Sequence, residues 1–109
     1  MSKLKFSDAP TLKEVQQYTL DMERERGFAD EHVSGKCLLL VEEVGELVKA
    51  IRKSHFGIAQ DVNKKYEHDV EGEIADILIV LNCIANKLGV DVEQALRDKE
   101  EKNKKRVWK

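Results

Sequence analysis

The sequence has few residues that would break a helix, cross-link a chain or cross a membrane. One proline and six glycines among 109 residues favour an all-α domain. The two cysteines, Cys37 and Cys83, lie far apart and form no CxxC pattern, and no charged segment followed by an apolar one opens the chain. These features indicate a reducing cytoplasm. No apolar stretch approaches the roughly 20 residues that span a bilayer, so we expect no membrane insertion.

The charge is nearly balanced. Nineteen basic side chains face 21 acidic ones, for a formal net charge of -2. No overall field draws such a protein to a nucleic acid polymer or to an anionic membrane, so neither partner is expected. A chain of this length is most simply one domain, residues 1–109, with a limited buried surface, and we therefore expect a homo-oligomer.

Apolar residues recur at steps of three and four in four stretches of the chain. Thr11 with Glu14 and Asp91 with Gln94 form capping boxes that predict the starts of the first and last helices. Four helices with short connections favour an antiparallel four-helix bundle. The predicted helices cover 11–26, about 35–53, about 66–88 and 92 onward, with Gly27 and Gly89 ending the first and third and a loop over 54–65.

The second helix carries glutamates inside its most apolar run. If Val44 is the centre of the apolar face, Glu43 lies about 100° to one side and Glu46 about 160° to that same side. Cys37 lies on the apolar face and is predicted to be buried, whereas Cys83, on the third helix, lies nearer the flank, where it can line an interface. Both cysteines are assigned to packing.

The third helix repeats this arrangement. With Leu81 as centre, Glu73 lies about 80° and Asp76 about 140° to the matching side. Antiparallel helices direct such flanks to the same side, so four carboxylates should converge. Crowded carboxylates raise one another's pKa unless a cation binds there. The sequence therefore predicts a metal site, with the alternative that the acids are solvated and paired with lysines, such as Glu46 with Lys49 or Lys53.

Oxygen ligands of this kind suit a hard divalent ion. Mg²⁺ keeps several waters and shares its remaining positions with phosphate oxygens, so a phosphorylated substrate is expected. A di-iron bundle needs a Glu-x-x-His pair on each of two helices. Since His32, His55 and His68 are not at the third position after these acids, we reject a di-iron site.

The pairs E43-V-G-E46 and E73-I-A-D76, separated by 26 residues, resemble the ExxE…ExxD pattern of the MazG-like all-α nucleoside triphosphate pyrophosphohydrolases. The stretch EEVGEL, preceded by Lys36, and the closing KNKKRVW are similar to segments of the same family. The likeness runs from about Leu12 to Trp108.

The resemblance implies a four-helix MazG-like chain that forms a dimer or a dimer of dimers. Such a chain would bind Mg²⁺, or Mn²⁺ as a substitute, through Glu43, Glu46, Glu73 and Asp76. It would hydrolyse (deoxy)nucleoside triphosphates to the monophosphate and pyrophosphate, in nucleotide-pool control or removal of noncanonical nucleotides. The alternative is a noncatalytic helical module that binds nucleotide, metal or a protein partner.

Several residues receive expected roles in this reaction. Glu43 and Glu46 are the candidate catalytic residues, since a ligand carboxylate is favoured over Glu42 as the proton acceptor. Lys36 is a candidate phosphate contact, with a surface lysine as the alternative. The tail supplies further candidates for phosphate or sugar contacts, all expected on one side of the last helix, with a solvated basic helix end as the alternative. These are Lys102, Asn103 and Arg106.

Overall fold

The computed structural model describes residues 1–55 and 69–109, and these form helices without any strand. The all-α prediction is confirmed for this part of the chain. Most of the predicted loop over 54–65 and the predicted helix start near Tyr66 lie outside the described residues. The second helix continues through residues 54 and 55, farther than predicted. The helices are α1 (Leu12–Arg26), α2 (Val33–His55), α3 (Val70–Leu88) and α4 (Val92–Lys104).

The helix ends follow local chemistry. Thr11 Oγ1 accepts from the Glu14 backbone N–H at 3.1 Å, and the Glu14 side chain accepts from the Thr11 N–H at 3.4 Å, which completes the predicted capping box. Gly27 and Gly89 end α1 and α3 in the left-handed region, at φ 77° and 68°, where glycine pays no steric penalty.

The cap of α4 is only half of the predicted box. Asp91 Oδ1 accepts from the Gln94 backbone N–H at 3.1 Å. The Gln94 side chain does not reach back to Asp91; it donates to Asp98 Oδ1 at 2.8 Å, one turn ahead. The reciprocal half of the box is therefore replaced by a bond along the surface of the helix.

Three pairs of helices make the main contacts among the described residues: α2 with α3, α3 with α1, and α1 with α4. Gln16 joins α1 to the α3–α4 turn: its amide donates to Asn86 Oδ1 at 3.0 Å and to Val90 O at 2.7 Å, and it accepts from the Val92 N–H at 3.0 Å. Among the described residues, no helix is both long and apolar enough to cross a membrane.

The prediction of which face α2 and α3 turn toward each other was wrong. Val44 and Leu81, taken as the centres of the buried faces, are 43% and 46% exposed. The buried or half-buried side of α2 carries Lys36, Glu43 and Ala50 together with the apolar residues Leu40, Leu47 and Ile51. Glu43 and Glu73 are therefore half-buried in the interhelical face, whereas Asp76 and Glu46 are exposed. The exposed apolar residues form what we call the apolar stripe: Cys37, Leu38, Val41, Val44 and Val48 of α2 with Ile74, Leu78, Leu81 and Leu88 of α3.

The same rotation makes the predicted burial of Cys37 wrong, whereas the packing role assigned to Cys83 agrees with its burial. Cys37 is exposed on the apolar stripe, whereas Cys83 is buried between the helices. Burial, together with the hydrogen bond to Glu23 and its charge, raises the pKa of the Cys83 thiol to about 11. Cys83 is therefore a protonated packing residue at neutral pH.

Candidate metal centre

Three carboxylates meet where α2 packs against α3. Glu43 comes from α2, and Glu73 and Asp76 come from adjacent turns of α3 at a spacing of three residues. One oxygen from each side chain lies within 4.8 Å of the others. Glu43 and Glu73 are half-buried, while Asp76 is exposed. We call this group the acidic trio; it opens to solvent at Asp76 and closes between the helices at Glu43 and Glu73.

The trio is electrostatically crowded. Burial raises the pKa of Glu43, and a hydrogen bond between its carboxyl group and that of Glu73 adds to the shift, as do the charges of Asp76, Glu73 and Glu42. Glu73 Oε2 is buried and has no hydrogen-bond partner among the described residues. A buried acceptor without a donor is costly unless a cation or water satisfies it. A cation bound at the trio would offset both the crowding and the buried acceptor.

The donor set fits a hard divalent cation. All three ligands are carboxylate oxygens, which suit Mg²⁺ or Mn²⁺, and Mg²⁺ characteristically uses only a few carboxylates while keeping waters and phosphate oxygens in its other positions. The exposure of Asp76 leaves one side of the trio accessible to such oxygens. The residues present are thus compatible with the ion that the sequence predicts.

Glu46 does not lie in the trio. It is exposed on α2, and its position is about 60° around the helix from Glu43. The structure brings together three of the four predicted ligands, and the role of Glu46 as a ligand or catalytic residue stays a prediction. Glu42 is also exposed, and its charge contributes to the raised pKa of Glu43.

Lys36 lies on the same inner face of α2 but is covered. Only 6% of the residue is exposed, so the alternative of a surface lysine is wrong. Its ammonium is 3.0 Å from Glu31 Oε2 and 5.1 Å from the centre of the Phe28 ring. Both partners belong to the α1–α2 connection, which therefore covers the lysine.

Sequence reasoning missed a buried charged pair behind this lysine. Glu23 of α1 is 1% exposed, and its Oε2 is 3.5 Å from Lys87 Nζ of α3. The Cys83 thiol lies beside Glu23. The available signal was positional, because Glu23 follows Thr19 by four residues and both fall on the buried face of α1.

The basic tail differs in part from its prediction. Lys102 and Asn103 are in α4, but Arg106 lies beyond the end of that helix, so the three do not share one helix face. The Arg106 N–H donates to Asn103 O at 3.1 Å, and its guanidinium lies 5.8 Å from the Trp108 ring. Asn103 Oδ1 is buried and has no hydrogen-bond partner among the described residues. Asn103 therefore keeps an unused acceptor.

The helical fold and an acidic trio shared by two helices define a class of all-α proteins suited to metal and phosphate chemistry. Residues 34–108 match the family model of the MazG nucleotide pyrophosphohydrolase domain. The match covers more than half of the chain and includes both acidic pairs. The chain belongs to the MazG nucleotide pyrophosphohydrolase family.

Individual relatives agree with this assignment. The chain is 31% identical over 104 residues to dCTP pyrophosphatase 1 of Bos taurus, covering 93% of this chain and 62% of the relative. It is 35% identical over 79 residues to the dATP/dGTP diphosphohydrolase of Cyanophage S-2L, covering 72% of this chain and 61% of the relative. The chain thus spans less than two thirds of the length of these relatives.

A solved structure supports the fold. The crystal structure of YpjD from Bacillus subtilis superposes with a TM-score of 0.72 at 25% sequence identity. The match covers 88% of this chain and 97% of YpjD. The helices described above are therefore arranged as in a protein of nearly the same extent.

Proposed function

We propose that this protein hydrolyses nucleoside triphosphates, with deoxynucleoside triphosphates as the favoured class, to the monophosphate and pyrophosphate in a Mg²⁺-dependent reaction. The observation that carries the proposal is the acidic trio within a chain of the MazG family. The relatives named for dCTP and for dATP or dGTP support deoxynucleotides as a class. Nucleotide-pool control or removal of noncanonical nucleotides is the corresponding cellular role.

The proposed roles follow from position and charge. Glu43, Glu73 and Asp76 hold the ion, with Glu46 as the fourth ligand. Bound Mg²⁺ would offset the charge of the phosphate oxygens and acidify an attacking water. Mn²⁺ is the expected substitute.

Glu43 and Glu46 are the proposed catalytic carboxylates. Glu43 is the proposed proton acceptor, because a ligand carboxylate lies beside the position where the ion would hold the attacking water. Glu46 is exposed one turn away, where it can contact water and substrate directly.

Substrate binding is assigned to Lys36, Lys102, Asn103 and Arg106. Lys36 is the proposed phosphate contact nearest in sequence to the trio. The unused Asn103 acceptor supports a sugar or base contact at the tail. Arg106 remains a candidate although it lies outside α4, since the residue is exposed and its guanidinium lies near the Trp108 ring.

We also propose that α2 and α3 are antiparallel in a bundle that forms a dimer or a dimer of dimers. The charge of Lys36 affects the pKa of Cys83, and the charge of Asp76 affects the pKa of Glu43. Residue numbers that increase along α2 therefore lie beside residue numbers that decrease along α3. The apolar stripe supports oligomers, because monomeric proteins rarely expose a large contiguous apolar surface. A single domain over residues 1–109 and a cytoplasmic location stay predictions.

The test is product analysis with a panel of standard and modified nucleoside triphosphates, in Mg²⁺ and then in EDTA. Equal amounts of monophosphate and pyrophosphate, formed only with metal, are expected. Release of inorganic phosphate with a diphosphate product would contradict cleavage between the α and β phosphates. Binding without any turnover across the panel would favour the noncatalytic nucleotide-binding module.

A further inference from the structure

The connection between α1 and α2, residues 27–32, covers two buried lysines. Lys36 Nζ is 3.0 Å from Glu31 Oε2, and Lys87 Nζ donates to Ala29 O at 3.3 Å. The two lysine side chains are only 8% and 12% exposed. Oxygen atoms of the connection thus contact two lysine ammonium groups that are largely shielded from water by the packed helices.

The connection itself is exposed to solvent. Residues 27–32 are all exposed, and the Glu31 side chain is 50% exposed. Beyond the α1 cap, backbone bonds run from the Glu31 N–H to Phe28 O and from the Gly35 N–H to His32 O, both at 3.1 Å. The His32 ring also bonds Ser34 Oγ at 2.8 Å, so the Glu31 carboxylate, unlike His32, is held only through its pair with Lys36 among the described residues. Exposed segments with few buried apolar contacts open at a low free energy. Lys36 is therefore the fixed member of the ion pair, and Glu31 is the member that can move.

Lys36 lies on the same helix face as the acidic trio. It precedes Glu43 by seven residues, which is two turns or about 10 Å along α2. The Lys36 charge also acts on Cys83, which follows Asp76 by seven residues on α3. The lysine and the trio thus occupy neighbouring levels of one interhelical face, so a ligand with several phosphates held at the trio lies within reach of that lysine once it is uncovered.

We propose that Glu31 is an intramolecular competitor of the substrate at Lys36. Its carboxylate occupies the place that a phosphate oxygen of the nucleotide takes, and residues 27–32 release the lysine when phosphate binds. An ammonium group is a point charge that exchanges one oxygen ligand for another without a fixed geometry. This inference rests on the proposed function, since it assumes a phosphate ligand at the trio.

The test compares Glu31→Gln with Asp30→Asn, which removes the same charge one residue earlier in the same connection. Glu31→Gln should lower KM for the best nucleotide about two- to fivefold, the range of an ion pair with one exposed partner. Asp30→Asn should leave KM unchanged. Glu31→Ala provides a second removal of the carboxylate, and thermal melting verifies that each variant is folded.

Lys36→Met locates the effect. Methionine preserves most of the packed stem but not the charge. KM should rise in this variant, and adding Glu31→Gln to it should produce no further change. A Glu31→Gln effect of equal size in the Lys36→Met background would overturn the proposal, because the competition would then not take place at Lys36.

Binding of inorganic pyrophosphate in Mg²⁺, measured by calorimetry, separates this inference from the proposed function. If wild-type protein hydrolyses no nucleotide, the proposed function fails, and tighter pyrophosphate binding by Glu31→Gln than by Asp30→Asn still supports the competitor. If wild-type protein is active but Glu31→Gln matches Asp30→Asn in KM and pyrophosphate affinity, only the competitor is rejected. Wild-type protein that neither hydrolyses nucleotides nor binds pyrophosphate contradicts both.

Discussion

The inner and outer faces of the α2–α3 pair differ in the polarity of the residues that they carry. The inner face, where the helices meet, carries Lys36, Glu43 and Glu73 among apolar residues, although charged side chains are ordinarily left in water. The outer face carries the apolar stripe and is exposed. Apolar periodicity therefore identifies a helix face suited to packing. It does not show whether that face packs against another helix of the same chain or against a second molecule.

The stability costs of the two faces also differ. Crowding and burial of carboxylates cost free energy that a bound cation can offset. Exposure of the stripe costs free energy that a second copy can offset. Ligand and partner are therefore expected to stabilise different faces, and variants of each face should respond to different conditions.

The largest expected effect is on catalysis at the inner face. Glu43→Gln should lower kcat/KM at least about 100-fold, because loss of a charged ligand weakens both ion binding and phosphate charge stabilisation. Steady-state pyrophosphate release measures this. Glu71→Gln, an exposed glutamate change two residues from Glu73, is the matched control and should retain wild-type activity.

Glu46→Gln sharpens the same prediction. Because Glu46 lies outside the trio, its substitution should lower kcat while leaving more of the Mg²⁺ affinity than Glu43→Gln does. Equal losses of Mg²⁺ affinity in the two variants would mean that all four acids act as ligands to a similar degree.

The next effect is on assembly at the outer face. Val44→Glu places a charge in the apolar stripe and should convert the proposed oligomer into smaller species, as measured by sedimentation or light scattering. Val107→Glu is the control, since Val107 is exposed beyond the end of α4. A wild-type protein that is monomeric at all concentrations would show that the stripe has another partner.

Cys37 offers an independent readout of the same face. It lies on the stripe, so thiol labelling should slow as protein concentration rises and the oligomer forms. Cys83 should stay unreactive throughout, because it is buried and its pKa is raised to about 11. Labelling of Cys37 that does not depend on concentration would place it outside the interface.

A smaller effect is expected of pH and of metal binding on the stability of the folded protein. The raised folded-state pKa of Glu43 means that the metal-free native state binds a proton more tightly than the unfolded state. Metal-free stability should therefore increase as pH falls from neutral toward the unfolded value of 4.5. At neutral pH, Mg²⁺ at about 100 times its Kd should contribute about 2.7 kcal/mol, a shift of roughly 10 °C in Tm.

Thermal melting at several pH values, with and without Mg²⁺, measures both parts of that prediction. The Mg²⁺ shift should shrink at lower pH, where protons compete with the ion. Glu43→Gln removes the titrating group and should flatten the metal-free dependence. An equal Mg²⁺ shift in this variant would locate the ion elsewhere.

The smallest expected effect is on stability away from both faces. Gln16→Ala removes three hydrogen bonds that join α1 to the α3–α4 turn and should cost about 1–3 kcal/mol in the free energy of unfolding. Gln17→Ala is the matched control: Gln17 is exposed and bonds Asp21 one turn ahead at 2.9 Å. Denaturant unfolding of the two variants should therefore differ clearly.

The local parts of the fold could be predicted from the sequence. Thr11 with Glu14 fixes one helix start, and Gly27 and Gly89 end helices, because these signals depend on residues within a few positions of one another. The pairing of Glu43 with Glu73 and Asp76 was also predictable, since their spacing along two helices places them at matching levels.

The rotation of the helices could not be predicted in the same way. Apolar periodicity predicts burial of Val44 and Leu81, yet both are exposed. Other residues of the same periodicity, Leu40, Leu47 and Ile77, are half-buried. Glu23 and Lys36 were missed as buried charges because their cost is offset by Lys87 and Glu31, partners from separate elements of the fold. Such compensation depends on tertiary contacts, which no local pattern contains.

The most direct measurement is a titration of metal-free protein with Mn²⁺, following the loss of the free-ion EPR signal. Wild-type protein and Glu71→Gln should bind Mn²⁺ saturably, with Mg²⁺ competing, and Asp76→Asn should lose most of that affinity while staying folded. The absence of saturable binding by wild-type protein, or undiminished binding by Asp76→Asn, would contradict the assignment of the α2–α3 inner face as the metal centre.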